Sequence, residues 1–332
     1  MARGIRGSNS IEGFDVSEDD AAAAVEGDAP YDTTAEAPSW LAVIGYRDAM
    51  THALRQGSDP DATIDLTLLR SLHYMMLKHD PSKHPGSWRP GSIFVRDERI
   101  EKIVYEGPPR EIVGKLMAEL INQRKQPNES PLVTAAMAHL NLAMIHPFSD
   151  GNGRMARCFQ TLILAKAGVF DPVFCSIEEW LGVRVNTDEY YDVLAKVGGG
   201  YWNPQNSAGL WIRFVLKAHF QQAATVERRQ IEAGDLWTAI EERLKKAKFP
   251  DRAAPPLLEG AFGRSIRNSR YRLLAEVSPL TASRDLKALV EEGLLNPVGD
   301  GKGRYYKASQ ELLLIRDSVR KDKSTPDPFS IY

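Results

Sequence analysis

Residues 8–46 of this 332-residue chain contain no Lys or Arg, while the same stretch carries Glu12, Asp15, Glu18, Asp19, Asp20, Glu26, Asp28, Asp32 and Glu36. A segment so acidic and rich in alanine reads, from residue 15 to 37, as a linker that is poorly ordered or only locally helical. Cysteine is scarce as well. Cys158 and Cys175 lack metal-ligand spacing, which excludes a zinc cluster or disulfide framework and leaves two buried free thiols as the expectation. No apolar run approaches membrane-spanning length, and no hydrophobic stretch follows Arg3 and Arg6 as a secretory signal would require, so the expected location is cytoplasmic. A net charge of −2 is too small to mark the whole chain as a nucleic-acid or membrane protein. Its 43% hydrophobic content suits the ordinary cores of two modest domains.

The stretch with the most chemistry in it is His146-Pro147-Phe148-Ser149-Asp150-Gly151-Asn152-Gly153-Arg154-Met155-Ala156-Arg157. Leu132, Ala136, Leu140 and Ala143 recur at helical spacing before it, and Phe159, Leu162, Ile163 and Lys166 do so after it, with Gly168 as a stop. The motif is therefore expected to be a helix–loop–helix turn. Gly151, Asn152 and Gly153 let successive N–H groups face one concavity at the N-terminus of the second helix, which is an anion nest. Arg154 and Arg157, three apart, share roughly one face and suit a polyphosphate. Asp150 is a hard oxygen ligand placed for magnesium, and His146 is a proton acceptor for an attacking hydroxyl.

At every fixed position this string resembles the signature of the Fic family, His-x-Phe-x-Asp/Glu-Gly-Asn-Gly-Arg-x-x-Arg. One small departure is Ala156, where many relatives carry Gly. The resemblance covers roughly residues 40–220. It implies a mostly α-helical Fic core with a β-hairpin flap, and transfer of AMP from ATP to Ser, Thr or Tyr hydroxyls of a target protein. His146 would be general base, Asp150 the magnesium ligand, and Gly151, Asn152, Gly153, Arg154 and Arg157 the phosphate site. Relatives that phosphorylate usually carry Lys in place of the second motif Gly, and Gly153 points to AMP instead. In the same resemblance Ser8-Asn9-Ser10-Ile11-Glu12-Gly13 is similar to an inhibitory helix, whose Glu12 would pair with Arg157 and keep ATP from binding productively, either within the chain or across a subunit contact. Without that resemblance, the segment is a short helix capped by Ser8 and ended by Gly13.

Along the rest of the chain, Trp40 to Leu54 and Leu66 to Leu77 have the pattern of core helices, with His73 and His79 as satisfied polar groups rather than metal ligands. Ser92-Ile93-Phe94-Val95-Arg96 and Lys102-Ile103-Val104-Tyr105 are short β runs around a charged turn. By resemblance this hairpin is the flap, with Ser92, Ile93, Phe94, Val95 and Arg96 as the dock to which a target strand adds. A loop and short helix are expected from Phe170 to Trp180, and a helix opening at Asn186 or Thr187. It carries Tyr190 and Tyr191, which cannot face the same way, so one is core; the resemblance implies that the other, Tyr191, walls the adenine pocket. Leu210 to Ala224 closes the core.

The last hundred residues read as a separate unit. Leu236 to Leu244 is helical, Pro250 to Pro256 a linker, Ser265 to Leu274 and Thr281 to Glu292 two helices, and Asn296 to Lys307 a glycine-tipped hairpin. The order resembles a winged helix-turn-helix domain. Between 260 and 307 there are nine Lys/Arg against five Asp/Glu, and Arg264, Arg267, Arg284, Lys302 and Arg304 are available for phosphate contacts with DNA, though such a domain serves equally for protein docking. The expected organisation is an inhibitory segment at 1–14, the acidic linker at 15–37, a catalytic domain at 38–232, the winged helix at 233–320 and a tail at 321–332. Expected partners are ATP with Mg2+, a target protein, the chain itself as substrate, and a second copy in a homodimer. Two other readings stay open: removal of AMP, or transfer of another nucleotide group, by the same site; and a transcriptional regulator whose Fic core senses a ligand.

Overall fold

In the computed structural model the described residues are all but 32–36, 98–99, 124–129, 169–175 and 331–332. The motif lies between α6 (Pro131–Ile145) and α7 (Asn152–Ala167), as the spacing predicts, with Pro131 at the first turn of α6 and left-handed Gly168 ending α7. Helix α7 is surrounded: of its residues from Asn152 to Ala165 only Gly153 is not fully buried. Helices α3 (Ala37–Ser58) and α4 (Leu66–Leu77) pack beside it, contributing Tyr46, Met50, Leu69 and Leu72 to a core that includes Phe148, Met155, Phe159 and Leu162. Helix α4 starts where Asp65 accepts a hydrogen bond from the Leu68 N–H at 2.8 Å.

The acidic segment is more ordered than its composition suggests. Helix α1 (Ala2–Ser10) begins at Met1, so Ser8 is buried in its last turn and does not cap it, while Gly13 turns the chain at φ +81°. Helix α2 (Glu18–Glu26) then occupies much of the expected linker. Ser17 caps it, Glu18, Asp19 and Asp20 fill its first turn, and left-handed Gly27 stops it. Ala21, Ala22, Ala23 and Ala24 are all buried, because four small side chains give the helix a face that can approach its neighbours closely. The linker's end at Asp32 and Glu36 lies outside the described residues.

Strands β1 (Phe94–Asp97) and β2 (Lys102–Glu106) form the expected antiparallel hairpin, with a bulge between Val95 and Arg96. Helix α5 (Val113–Gln123) follows. Past α7 come the single turn α8 (Glu178–Leu181) and α9 (Arg184–Gly198), which starts before Asn186 and Thr187. Those two side chains instead bond the carbonyls of Trp180 and Leu181, at 2.8 and 2.6 Å. Most of the loop expected from Phe170, Cys175 included, lies outside the described residues; Cys158 is buried as a free thiol.

Helix α10 (Gly209–Lys246) is continuous, and the chain divides into two units within it: residues 1–222 with 327–332, and residues 223–326. The division falls earlier in that helix than the expected 232/233. In the first unit Trp211, Phe214, Val215 and Ala218 close a core with Tyr190, Leu140 and Leu181. In the second, Leu236, Ile240 and Leu244 pack with α11 (Ala254–Ala261), α12 (Asn268–Ala275), α13 (Pro279–Glu291), the hairpin β3 (Leu295–Val298) and β4 (Tyr305–Ala308), and α14 (Gln310–Ser318). The Pro250–Pro256 stretch is helical, not a linker, for prolines are accepted in a first turn and Ala254 and Leu257 are buried. Ser278 caps α13, where Arg284 is exposed and Asp285 is buried against Arg252 and Tyr271. Among the described residues no helix is long and apolar enough to cross a membrane.

Candidate active site

The motif loop is held from below by side chains distant in sequence. Asn152 accepts from the Phe148 N–H and donates to the Phe148 carbonyl, both at 2.9 Å, so its amide closes the loop and only its backbone is left for a ligand. Phe148 stacks on the His73 ring with centroids 3.7 Å apart. His73 accepts at Nδ1 from Gly86 N–H (2.8 Å), which leaves Nε2–H to donate to the Asp150 carbonyl at 3.0 Å. Burial holds its pKa down to about 4, in keeping with a neutral prop. His79 differs from expectation: its Nδ1 is buried with no hydrogen-bond partner among the described residues.

His146 ends α6 in the left-handed region, φ 50° and ψ 58°, an uncommon conformation for a residue with a side chain, costing about 1–2 kcal/mol. Its Nδ1 lies 3.1 Å from the Ala143 carbonyl. A carbonyl only accepts, so Nδ1 carries the hydrogen and Nε2 presents a lone pair. Burial lowers the imidazole pKa and the Arg89 charge lowers it further, while the bond to the Ala143 carbonyl and the charges of Glu12 and Asp150 act the other way. A neutral imidazole with a free Nε2 is the state a proton acceptor needs.

Both motif arginines are buried cations. Arg154 is fully enclosed, and its three guanidinium nitrogens have no hydrogen-bond partner among the described residues. Asp150 Oδ1 stands 3.8 Å away and the Phe14 ring lies 5.0 Å from its centre. Leaving a buried guanidinium without acceptors costs several kcal/mol, roughly, and an anion at the α7 N-terminus would remove that cost. Asp150, partly exposed, is also 3.5 Å from Lys83. Among the described residues no group of three or more His, Cys, Asp or Glu could hold a metal by itself. A lone carboxylate beside a phosphate site fits magnesium, which takes one or two carboxylates and completes its shell with phosphate oxygens and water.

Arg157 is claimed by the N-terminal segment. Its Nε donates to Ser8 Oγ at 2.8 Å, and one Nη donates to the Ser8 carbonyl at 3.0 Å and to Glu12 Oε1 at 2.6 Å, while the other Nη has no hydrogen-bond partner within bonding distance among the described residues. Burial acts to lower the pKa of this cation, but Glu12 together with Tyr190, Tyr46 and Tyr191 outweighs it and the pKa is raised. The carboxylate also lies directly against Gly153, where a Cβ would collide with Glu12 Oε1. Helix α1 reaches this position because Gly7 sits on the α8 backbone, where a Cβ would clash with the Glu178 carbonyl. Below it the buried Glu178 carboxylate accepts from Tyr46. The Glu178 and Tyr46 contacts were not read from the sequence, and neither carries a signal there.

The two tyrosines part as expected. Tyr190 is buried, its hydroxyl 3.1 Å from His139 Nε2. Tyr191 is 38% exposed and its hydroxyl donates to the Ile11 carbonyl at 3.3 Å, placing it beside the Glu12 segment. At the hairpin Ser92, Phe94 and Arg96 are exposed, and Ile93 and Val95 half-buried. Strand β2 continues on its far side into a bridge from Glu106 to Tyr201, so β1 is the hairpin's outer edge among the described residues. In the second unit Arg284 and Arg304 are exposed, and Arg264 and Arg267 half-buried.

Residues 63–164 match the Fic/DOC family. Among curated proteins, the protein adenylyltransferase Fic of Nematostella vectensis is 28% identical over 178 residues, 53% of this chain and 37% of that relative. The protein adenylyltransferase fic-1 of Caenorhabditis elegans is 33% identical over 103 residues, 31% of this chain and 18% of that protein. The chain thus spans well under half the length of these curated relatives. Among solved structures, a Fic family protein from Desulfovibrio desulfuricans superposes with a TM-score of 0.57 at 22% identity, covering 93% of this chain and 86% of that one. Fic-1 from Caenorhabditis elegans gives 0.53 at 22% identity over 68% of this chain and 62% of that one. Residues 63–164 therefore carry a Fic/DOC domain, in a chain whose mostly helical fold is that of Fic proteins.

Proposed function

We propose that this chain is a protein adenylyltransferase, transferring AMP from ATP to a hydroxyl of a target protein, with Glu12 as its built-in inhibitor. The observation that carries the reading is the buried Arg154 guanidinium, which has no hydrogen-bond acceptor among the described residues, next to an Arg157 whose Nη is held by a carboxylate. Two cations at one helix N-terminus, one with no hydrogen-bond acceptor among the described residues and one holding a displaceable anion, fit the phosphates of a nucleotide better than any neutral ligand.

In this reading the target strand adds to the outer edge of β1 and brings a Ser, Thr or Tyr hydroxyl to His146. Nε2 takes the hydroxyl proton as the oxygen bonds to the α-phosphorus, the bond from that phosphorus to the bridging α–β oxygen breaks, and pyrophosphate leaves. The α7 N–H groups and the two arginines neutralise the phosphates, and Tyr191 flanks the nucleotide base. Magnesium, held by Asp150, would supply further charge neutralisation. Nearly all the rate comes from positioning and electrostatics. While Glu12 holds Arg157, a γ-phosphate cannot occupy the same donors. The partners are thus a target protein and, for self-modification, the chain itself.

Incubation of the purified chain with ATP labelled at the α-phosphate, alone and with cell lysate, tests the reading. Labelled protein should appear with Glu12→Gly and be absent with Glu12→Gly combined with His146→Ala, while both variants bind ATP alike because His146 touches the acceptor and no phosphate. Equal incorporation in the two would remove His146 as the base. A label that appears only when ATP carries it on the γ-phosphate would replace AMP transfer by phosphorylation.

A further inference from the structure

Arg89 lies outside the proposed phosphate pocket, yet it is 1% exposed and, among the described residues, its guanidinium bonds only main-chain carbonyls. Nε donates to the His146 carbonyl at 2.9 Å, one Nη to the Gly91 carbonyl and the other to the Pro108 carbonyl. Its own backbone N–H donates to the Pro147 carbonyl at 2.8 Å. Gly91 precedes β1 and Pro108 follows β2, so these carbonyls are the two feet of the hairpin. The feet are joined where the Gly107 N–H donates to the Ile93 carbonyl at 3.1 Å, a contact so close that a Cβ on Gly107 would collide with Ile93 and stand 3.5 Å from the Arg89 fork. His146, on the third arm, has a left-handed backbone that the Arg89 bond to its carbonyl holds from outside the helix.

We propose that Arg89 is a positioning residue: one guanidinium ties both feet of the β1–β2 hairpin to the peptide of His146, fixing the separation between a docked target strand and the imidazole. This deepens the reading above and rests on it, since it takes His146 as the base and the hairpin as the dock. A planar fork with fixed donor directions is what three carbonyls on three segments require, and charge-assisted bonds are the stronger kind. An ammonium on a flexible stem keeps the charge but loses that geometry. The positive charge also disfavours imidazolium at His146, acting in the same direction as burial.

The test uses the full chain in a Glu12→Gly background, comparing Arg89 with Arg89→Lys and Arg89→Gln. Three measurements are made: self-modification with ATP labelled at the α-phosphate, affinity for a non-hydrolysable ATP analogue, and backbone hydrogen exchange. Arg89→Lys should lower turnover by about 10- to 100-fold, the cost expected of roughly ångström-scale misplacement, with analogue affinity unchanged. Exchange should rise together in residues 91–108 and 143–149. Arg89→Gln should also move the acidic limb of the pH–rate profile to higher pH, since removing a cation favours imidazolium, a shift that lost packing alone would not produce. Exchange that rises in only one of the two segments, or an Arg89→Lys variant with full turnover, overturns the proposal. If the parent transfers no AMP to anything, the proposed function fails while the paired exchange result still decides whether Arg89 couples hairpin and loop. Should Arg89→Gln not fold, Arg89→Lys carries turnover, affinity and exchange by itself.

Discussion

Replacing Glu12 with Gly removes one charge-assisted hydrogen bond, 2.6 Å long, from a side chain that is 1% exposed on the Arg157 side and 23% on the Glu12 side. Bonds of this kind contribute about 1.5–3 kcal/mol, and the partial exposure of Glu12 argues for the lower half, about 2 kcal/mol. Two opposite consequences follow from that one figure. Without nucleotide, Arg157 keeps its bonds to Ser8 Oγ and the Ser8 carbonyl, so α1 stays in place but the cation loses its counter-charge. The unit containing residues 1–222 should then melt lower, by about 4–8 °C at roughly 2–4 °C per kcal/mol. With nucleotide, the phosphate no longer competes with the carboxylate, and 2 kcal/mol corresponds to about 30-fold in productive occupancy. Initial rates of labelled AMP incorporation should rise by up to that factor at subsaturating ATP, and ATP should restore more melting temperature in the variant than in the parent. Both are measured on samples matched for folded fraction and across protein concentration, since a parent rate that depends on concentration places the inhibitory contact between subunits. A lower melting temperature with an unchanged rate would refute the reasoning, for it would show the pair to be structural and ATP indifferent to it. If Glu12 instead orients water for AMP removal, the variant should accumulate modified target and fail to clear it.

Asp150→Ala should weaken ATP binding and flatten the magnesium activation curve; an unaltered magnesium titration would place the metal on another residue. Acid should destabilise the first unit well before its carboxylates titrate. His73 and His139 are fully buried with pKa values of about 4 and about 3, against 6.5 unfolded, so below 6.5 the unfolded chain binds protons that the folded chain refuses. The stability this represents is present at neutral pH and is lost as pH falls from 6.5 towards 4, about 3 kcal/mol for each of the two histidines. Denaturant midpoints from pH 8 to 4 measure it, and His139→Gln, which keeps a polar side chain near Gln160 and Tyr190, should shrink the slope.

The parts of the site legible in the sequence are those built from contiguous residues. The glycines, the two arginines and His146 lie within one turn, and helical spacing on either side places α6 and α7 within about two residues of their observed ends. Glu12 became legible only through the family resemblance, since its partner is 145 residues away. What holds the loop was not legible, because Arg89, His73, Tyr46 and Glu178 act through contacts between distant segments and each looks like an ordinary residue in its own window. Helix α2 was only partly legible, as one of two alternatives, for a different reason. Composition counts its carboxylates but cannot see that Ser17, three acidic residues in the first turn and Gly27 are a matched set of helix ends, nor that consecutive alanines, which show no period, can still be buried. The tyrosine pair was half legible: adjacency forces opposite faces, but only the fold says that Tyr190 is the inner one.

Helix α7 has one further consequence, for how such a protein can vary. Thirteen of its residues are buried, polar ones included, so it offers almost no solvent-facing position at which a substitution is neutral. Volume changes in such a packed site cost about 1–3 kcal/mol, a large part of a domain's stability. The helix that carries the proposed phosphate site is thus nearly closed to mutational drift. The exposed strand β1, with Ser92, Phe94 and Arg96 facing water, is open to it. On the proposed function, a lineage could change its target through the hairpin without disturbing the phosphate site, and chemistry and recognition would diverge at different rates within one site.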